Sequence, residues 1–199
     1  MRTIEIIGYK RANLGKSSSK HLRNEGNVPC VLYGGKDQVH FYAPAIQFRD
    51  ALYTPEPCFV KLNVEGEEFT AIIQDSQFHP VSETLLHADF LQLFDEKEVK
   101  MDIPVKMVGS APGVANGGKL IIKKPKLGVR ALPANMPDAI DVDVSELKLG
   151  KSVKVGSLSP ENFEILNSPL VTIASVAIPR ALRGKSEEEL EAEEAEAAE

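Results

Sequence analysis

The sequence predicts a mainly β protein: an N-terminal six-stranded antiparallel β-barrel-like domain with short helices, a C-terminal all-β domain, and an acidic flexible tail. Its 199 residues exceed the usual size of one small domain. Short alternating or β-branched runs recur between turn residues, with 14 Gly and 13 Pro along the chain. A charged run, "DEKEVK" from Asp95 to Lys100, separates two stretches of different texture. The expected domains are therefore 1–94 and 95–179, followed by a tail over 180–199.

In the first domain, "TIEIIGY", "PCVLYGG" and "QVHFYAP" read as strands, the last one stopping at Pro44. Two short helices interrupt them. "SSSKHLRNEG" has serines able to cap its start and Gly26 placed to end it in a left-handed conformation. "AIQFRDALY" follows Pro44 and puts Phe48, Ala51 and Leu52 on one face. "FVKLNVEGEEFTAIIQD" reads as a hairpin about Glu65-Gly66, and "LLHADFLQLF" as the closing strand. In the second domain "IPVKMVG", "KLIIKK", "KLGVRAL", "AIDVDVSEL", "SVKVGSL" and "LVTIASVAI" are short strands separated by Pro, Gly and Asn. The end, "RGKSEEELEAEEAEAAE", is acidic and of low complexity. Ser186 and Glu189 form a capping-box pattern, but no apolar stripe follows that could be buried.

Composition removes several classes. No apolar run reaches the roughly 18 residues that span a bilayer, and the N-terminus lacks the apolar core of a secretory signal, so a cytoplasmic protein without membrane contact is expected. Cys30 and Cys58 lie 28 residues apart, with no CxxC and no Cys/His cluster. They read as two buried reduced thiols, with neither a zinc site nor a disulfide framework. No cofactor is expected.

The formal net charge of -6 conceals a strong segregation. Residues 1–36 carry +5, 37–94 carry -7, 95–179 carry +1 and 180–199 carry -5. Within the first segment, "KRANLGKSSSKHLR" holds five Lys or Arg and no acid. On a helical period Lys16, Lys20 and Arg23 share one face while Leu22 points away. Arg11 lies just upstream, and Gly15 and Ser17 to Ser19 are small enough to let phosphate oxygens approach backbone N–H groups. One face is cationic and the other anchored, which suits a polyanion as well as it suits an ordinary solvated helix face.

A second group lies in "QDSQFHPVSETLLHADF". Leu86, Ala88, Phe90 and Phe94 share one parity as a core face, which places His87 and Asp89 together outward. His79 is the nearest further ligand, and no Ser or Cys stands in an elbow motif, so metal binding and catalysis lack their remaining parts. Imidazole and carboxylate can instead bond a phosphate, a 2′-hydroxyl or a base edge, with Gln74, Gln77 and Tyr33 as polar or stacking partners. "GVANGGKL" imitates a phosphate loop but has Leu120 where magnesium binding needs Ser or Thr, and "LIIKKPKLGV" after it cannot form the required helix. It reads as a glycine-rich β-connection. "KLIIKKPK" is a basic strand surface, either an RNA contact or an edge protected by lysine.

The ordered motifs "R-x3-GK-x2-S-x2-LR" from Arg11, "VPCVLYGG" from Val28, "QDSQFHP" from Gln74 and "LLHADF" from Leu85 resemble the bacterial large-subunit ribosomal proteins that bind 5S ribosomal RNA. The continuation past residue 94 resembles their longer two-domain form, the general stress protein CTC type. The resemblance implies a non-enzymatic RNA-binding protein of the large ribosomal subunit, with 5S rRNA and possible neighbouring ribosomal proteins as its partners and a monomeric free chain. It also implies that Arg11, Lys16, Ser19, Lys20, Arg23, Tyr33, His87 and Asp89 lie on or near the RNA face, with Gln74, Gln77 and His79 close to it. Two positions depart from the family pattern: Lys20-His21 replaces an arginine pair, and Phe78 replaces a basic residue. A stress-related protein-interaction factor, using the second domain and the acidic tail, is the alternative expectation.

Overall fold

The first strand, β1 (Arg2–Lys10), buries Ile6 on its inner face and leads into a helix, α1 (Lys16–Asn24). The structure is a computed structural model that describes residues 1–35, 37–158 and 162–179, so the expected acidic tail and its capping box lie outside the described residues. After α1 come β2 (Asn27–Tyr33) and β3 (Val39–Pro44), then a 3₁₀ turn over Ala45–Phe48 running into α2 (Arg49–Leu52). β4 (Cys58–Val64), β5 (Glu67–Phe78) and β6 (Leu85–Gln92) complete the set.

These six strands form a closed barrel in the order β1-β3-β2-β6-β5-β4. The barrel itself, its strand set and the helical interruptions are as the sequence predicts, but the pairing is not antiparallel throughout. β1 runs parallel to β4, and β2 parallel to β6. The reason is directional: the pairings make β1, β2, β4 and β6 run one way and β3 and β5 the other. Two strands can separate four into at most two groups around a ring, so two parallel seams are unavoidable. β1 and β2 run the same way, and the segment with α1 supplies the return between them; β3 already ends where β4 begins, so the 3₁₀ turn and α2 carry the chain past β1 at one end of the barrel.

Closure leaves no strand edge and gives the inward parity a dry interior. Phe41, Phe48 and Phe90 are buried there with Ile6, Leu32, Val60 and Leu62. The Phe41 and Phe90 rings lie 5.6 Å apart, and Phe48, from the turn after β3, lies 6.2 Å from Phe90. The β4–β5 hairpin turns on Glu65 and Gly66, with φ of 52° and 93°, as a two-residue loop of primed type requires. Gly26 ends α1 with φ of 79°. The expected serine cap is absent: α1 begins at Lys16 with Gly15 in the cap position and no side-chain cap bond. The Ser19 hydroxyl instead donates to the Gly15 carbonyl at 3.0 Å.

The described residues gather into two compact units, Met1–Asp102 with Arg130–Asp138, and Ile103–Val129 with Ala139 onward. Beyond the barrel the strands are β7 (Val99–Val108), β8 (Lys119–Ile122), β9 (Lys126–Ala131), β10 (Ile140–Asp143), β11 (Ser152–Lys154), β12 (Glu164–Ile165) and β13 (Thr172–Ala177). They make a four-stranded sheet, β10-β7-β9-β12, and a three-stranded one, β11-β13-β8. Ile103, Leu127, Val129, Val142, Ile173 and Ala174 are buried. The stretch expected as a plain β-connection holds one helical turn, α3 (Pro112–Ala115), because Pro112 suits a first helical position. Its Gly113 donates to the Leu147 carbonyl at 3.0 Å.

Gly8 on β1 is where a side chain has no room, since an added Cβ would stand 2.6 Å from Cδ2 of Phe41. Gly8→Ala is expected to destabilise by about 1–3 kcal/mol, read as a lower urea midpoint at unchanged m-value. Cys30 is buried and not disulfide-bonded, and burial pushes its thiol far above the ordinary range. Above about pH 8.5 the unfolded chain releases a thiol proton that the native chain keeps. Stability therefore falls as pH rises through that range, by up to about 1.4 kcal/mol per pH unit. Burial also raises the Cys58 thiol, which acts in the same sense. Urea titrations at pH 7 and pH 9.5 should show the fall and its weakening in Cys30→Ala; an equal slope in both proteins would contradict it.

Candidate nucleic-acid interface

Register decides which side chains share the outer surface of the barrel. Along the β2–β6 seam Cys30 faces Ala88 and Leu32 faces Phe90, all buried, so Val31 beside Asp89 and Tyr33 beside Leu91 turn outward. Across β5 and β6, Gln77 is opposite His87 and Asp75 opposite Asp89. Alternation from the buried Ala71 would have sent Asp75 and Gln77 inward. The register shift between Ile73 and Asp75 makes Gln74 an extra residue and reverses the parity after it. A single bulge thus carries two polar side chains to the face that holds His87 and Asp89.

His87 and Asp89 form the centre of this face. Their Nδ1 and Oδ1 atoms are 2.6 Å apart, with both side chains about 70% covered (28% and 30% exposed). The ring donates through Nδ1 and keeps Nε2 for an outside partner. Burial raises the Tyr33 hydroxyl above its ordinary range, with the Asp89 and Asp75 charges adding to the shift. Asp75 and Asp89 thus place acid inside a site that is cationic only at its margin. No group of three or more His, Cys, Asp or Glu that could hold a metal occurs among the described residues.

The margin is α1, which packs against β2. Lys16, Lys20 and Arg23 are exposed and Leu22 is half-buried, matching the helical phase read from the sequence. Among the described residues none of the three cations makes an ion pair. Arg23 donates through Nε to the Leu86 carbonyl at 2.9 Å, which ties α1 to β6 next to His87. Arg11 Nη2 donates to Ser19 Oγ at 3.0 Å and to the Asn13 carbonyl at 3.3 Å, folding the loop before α1 onto the helix. Its Nε is buried without a partner among the described residues.

The structure therefore brings together Ser19 and Arg23 of α1, Arg11 of the loop before it, and Tyr33, Gln77, His87 and Asp89 of the strands β2, β5 and β6. Lys16 and Lys20 extend along the exposed face of the helix, and Gln74 is the bulge. His79 stands apart in the β5–β6 turn, where its Nδ1 accepts from the N–H groups of Val81 and Ser82 at 3.3 and 3.2 Å. That fixes its neutral proton on Nε2. Asp75 was missed by sequence reasoning, because simple alternation sends it inward. Only the register shift could have revealed it.

The chain is 54% identical over 188 residues to the large ribosomal subunit protein bL25 of Amoebophilus asiaticus, covering 94% of this chain and 96% of the relative. The chain belongs to the ribosomal L25p family. It is also 53% identical to the bL25 protein of Cytophaga hutchinsonii, over 92% of this chain and 95% of that one. Identity to the Bacteroides fragilis bL25 protein is 44%, over 92% and 96%. The ribosomal L25p family model matches residues 6–90, and that of the ribosomal protein TL5 C-terminal domain matches 98–180. The resemblance read from the four motifs is borne out. The L25p relatives are by name ribosomal proteins and not enzymes.

Ser19 joins Arg11 to the start of α1, so Ser19→Ala should cost about 1–2 kcal/mol in urea unfolding. An unchanged midpoint would mean that the Arg11–Ser19–Gly15 chain does not hold the helix in place.

Proposed function

We propose that this protein is a structural component of the large ribosomal subunit whose N-terminal barrel binds 5S ribosomal RNA. The single observation that carries the reading is the juxtaposition of a cationic helix face with the outward His87–Asp89 pair, joined through the bond from Arg23 to the Leu86 carbonyl. Cations alone would suit any polyanion. A carboxylate repels phosphate, yet it accepts hydrogen bonds from 2′-hydroxyls and base amino groups, which suits the shallow minor groove of folded RNA.

Roles divide accordingly. Lys16, Lys20, Arg23 and Arg11 meet backbone phosphates and supply most of the affinity. His87, Asp89, Tyr33 and Gln77 position the groove, with Gln74 and His79, through its Nε2–H, at the rim. Ser19 fixes Arg11 and the helix start. In this reading the functional modules are residues 1–94 and 95–179, with 180–199 as an acidic appendage, in keeping with the two family matches. The free chain is a monomer of the cytoplasm that joins the ribosome. No described helix is long and apolar enough to cross a membrane.

Full-length Lys16→Ala/Arg23→Ala is expected to bind 5S rRNA more weakly, with a salt slope shallower by about 0.7–0.9 per lost phosphate contact. Unchanged affinity and slope would remove α1 from the interface. His87→Ala and Asp89→Ala should each weaken binding while leaving the far-UV circular dichroism intact. Wild-type affinity in both would make the pair an ordinary surface contact. Absence of the protein from large subunits in a low-salt gradient would instead favour the protein-interaction role.

A further inference from the structure

The second unit carries an electrostatic feature that the barrel does not use. Between Asp102 and Asp138 the chain has no acidic residue and six cations, Lys106, Lys119, Lys123, Lys124, Lys126 and Arg130. Four of these lie within eight residues at one corner, where β8 ends and β9 begins, and residues 121–126 are exposed without interruption. Among the described residues Lys119, Lys123, Lys124 and Lys126 make no ion pair.

Lysines on a β-edge often serve only to block association with another strand. Among the described residues β8 is such an edge, since it pairs there with β13 alone. Lys119 lies within β8 and suits that purpose. Lys123 and Lys124 lie beyond its last residue, where edge protection does not require them, and Lys126 opens a different strand. The corner is also fixed in place: the backbone N–H groups of Lys123 and Lys124 both donate to the Ile173 carbonyl, at 2.8 and 3.1 Å, and the Pro125 carbonyl accepts from Val105 at 2.9 Å. A backbone so held loses little further entropy when its side chains engage a partner. Ile121 and Ile122, 40% and 48% exposed, add apolar surface beside the charges.

We infer that this corner is a second nucleic-acid contact, through which the C-terminal unit grips the phosphodiester backbone of ribosomal RNA. The inference rests on the ribosomal reading above. Closely spaced cations without acidic neighbours in sequence match the charge density of an RNA backbone, and the two isoleucines can cover the apolar faces of sugars. The contact is independent of sequence, because lysine ammonium groups meet phosphates as point charges.

The test uses the full chain on large ribosomal subunits. Wild type, a K119Q/K123Q/K124Q/K126Q variant and the corresponding all-arginine variant are released along a KCl series, and an Ile122→p-benzoylphenylalanine protein is photo-crosslinked on the same particles. The glutamine variant is expected to leave at lower salt, with a log–log slope shallower by roughly 2 to 3. The arginine variant should behave as wild type, and the crosslink should fall on rRNA. Equal release of wild type and glutamine variant, or crosslinks to protein alone, would overturn the inference. Isolated 5S rRNA with the Lys16/Arg23 variant reads the barrel separately, so failure of one assignment is distinguishable from failure of the other.

Discussion

Closure of the barrel is the constraint on which the rest depends. A ring that contains four strands of one direction and two of the other must include parallel neighbours. β1 and β2 run in the same direction, so the chain has to return along the barrel before β2 begins. α1 occupies this return, packing against β2 and bonding to β6 through Arg23. The same topology that closes the core thus delivers the basic helix to the surface where His87 and Asp89 stand.

Local charge, and not net charge, governs what such a surface can meet. Lys16, Lys20 and Arg23 project from one small helix, while the acids of the same unit are spread over β1, α2, β5, β6 and the turns. Salt screens the interaction between exposed charges over about 8 Å at physiological ionic strength, so distant carboxylates do little to cancel the helix. Asp89 is different, since it lies inside the site and is held by His87. In the proposed reading it contributes selectivity at some expense in phosphate attraction.

Much of the barrel was legible because its signals are local. Alternation marked the strands, Gly26 and Glu65-Gly66 marked two changes of direction, and the 3.6-residue period separated Lys16, Lys20 and Arg23 from Leu22. Strand direction was not legible, because parallel pairing of β1 with β4 joins residues more than fifty positions apart and leaves no mark on either strand. The serine cap failed for a related reason: Arg11 draws Ser19 into a bond network that begins before the helix. β12 has two residues, too few for alternation to appear. Of the interface, His87 and Asp89 could be placed by parity alone, whereas Asp75 could not, since its orientation is set by an irregularity upstream.

That irregularity at Gln74 also bears on how the surface can change over evolutionary time. Point substitutions at Asp75 or Gln77 alter one functional group and leave the others in place. Loss of Gln74 itself would leave Ile73 opposite Phe90 and Asp75 opposite Asp89 in plain alternation, so the bulge residue can be lost without exchanging the solvent side for the interior. Homologous chains can therefore explore new chemistry here by exchange of side chains, and even a one-residue shortening at Gln74 keeps the polar half of β5 on the face of His87 and Asp89.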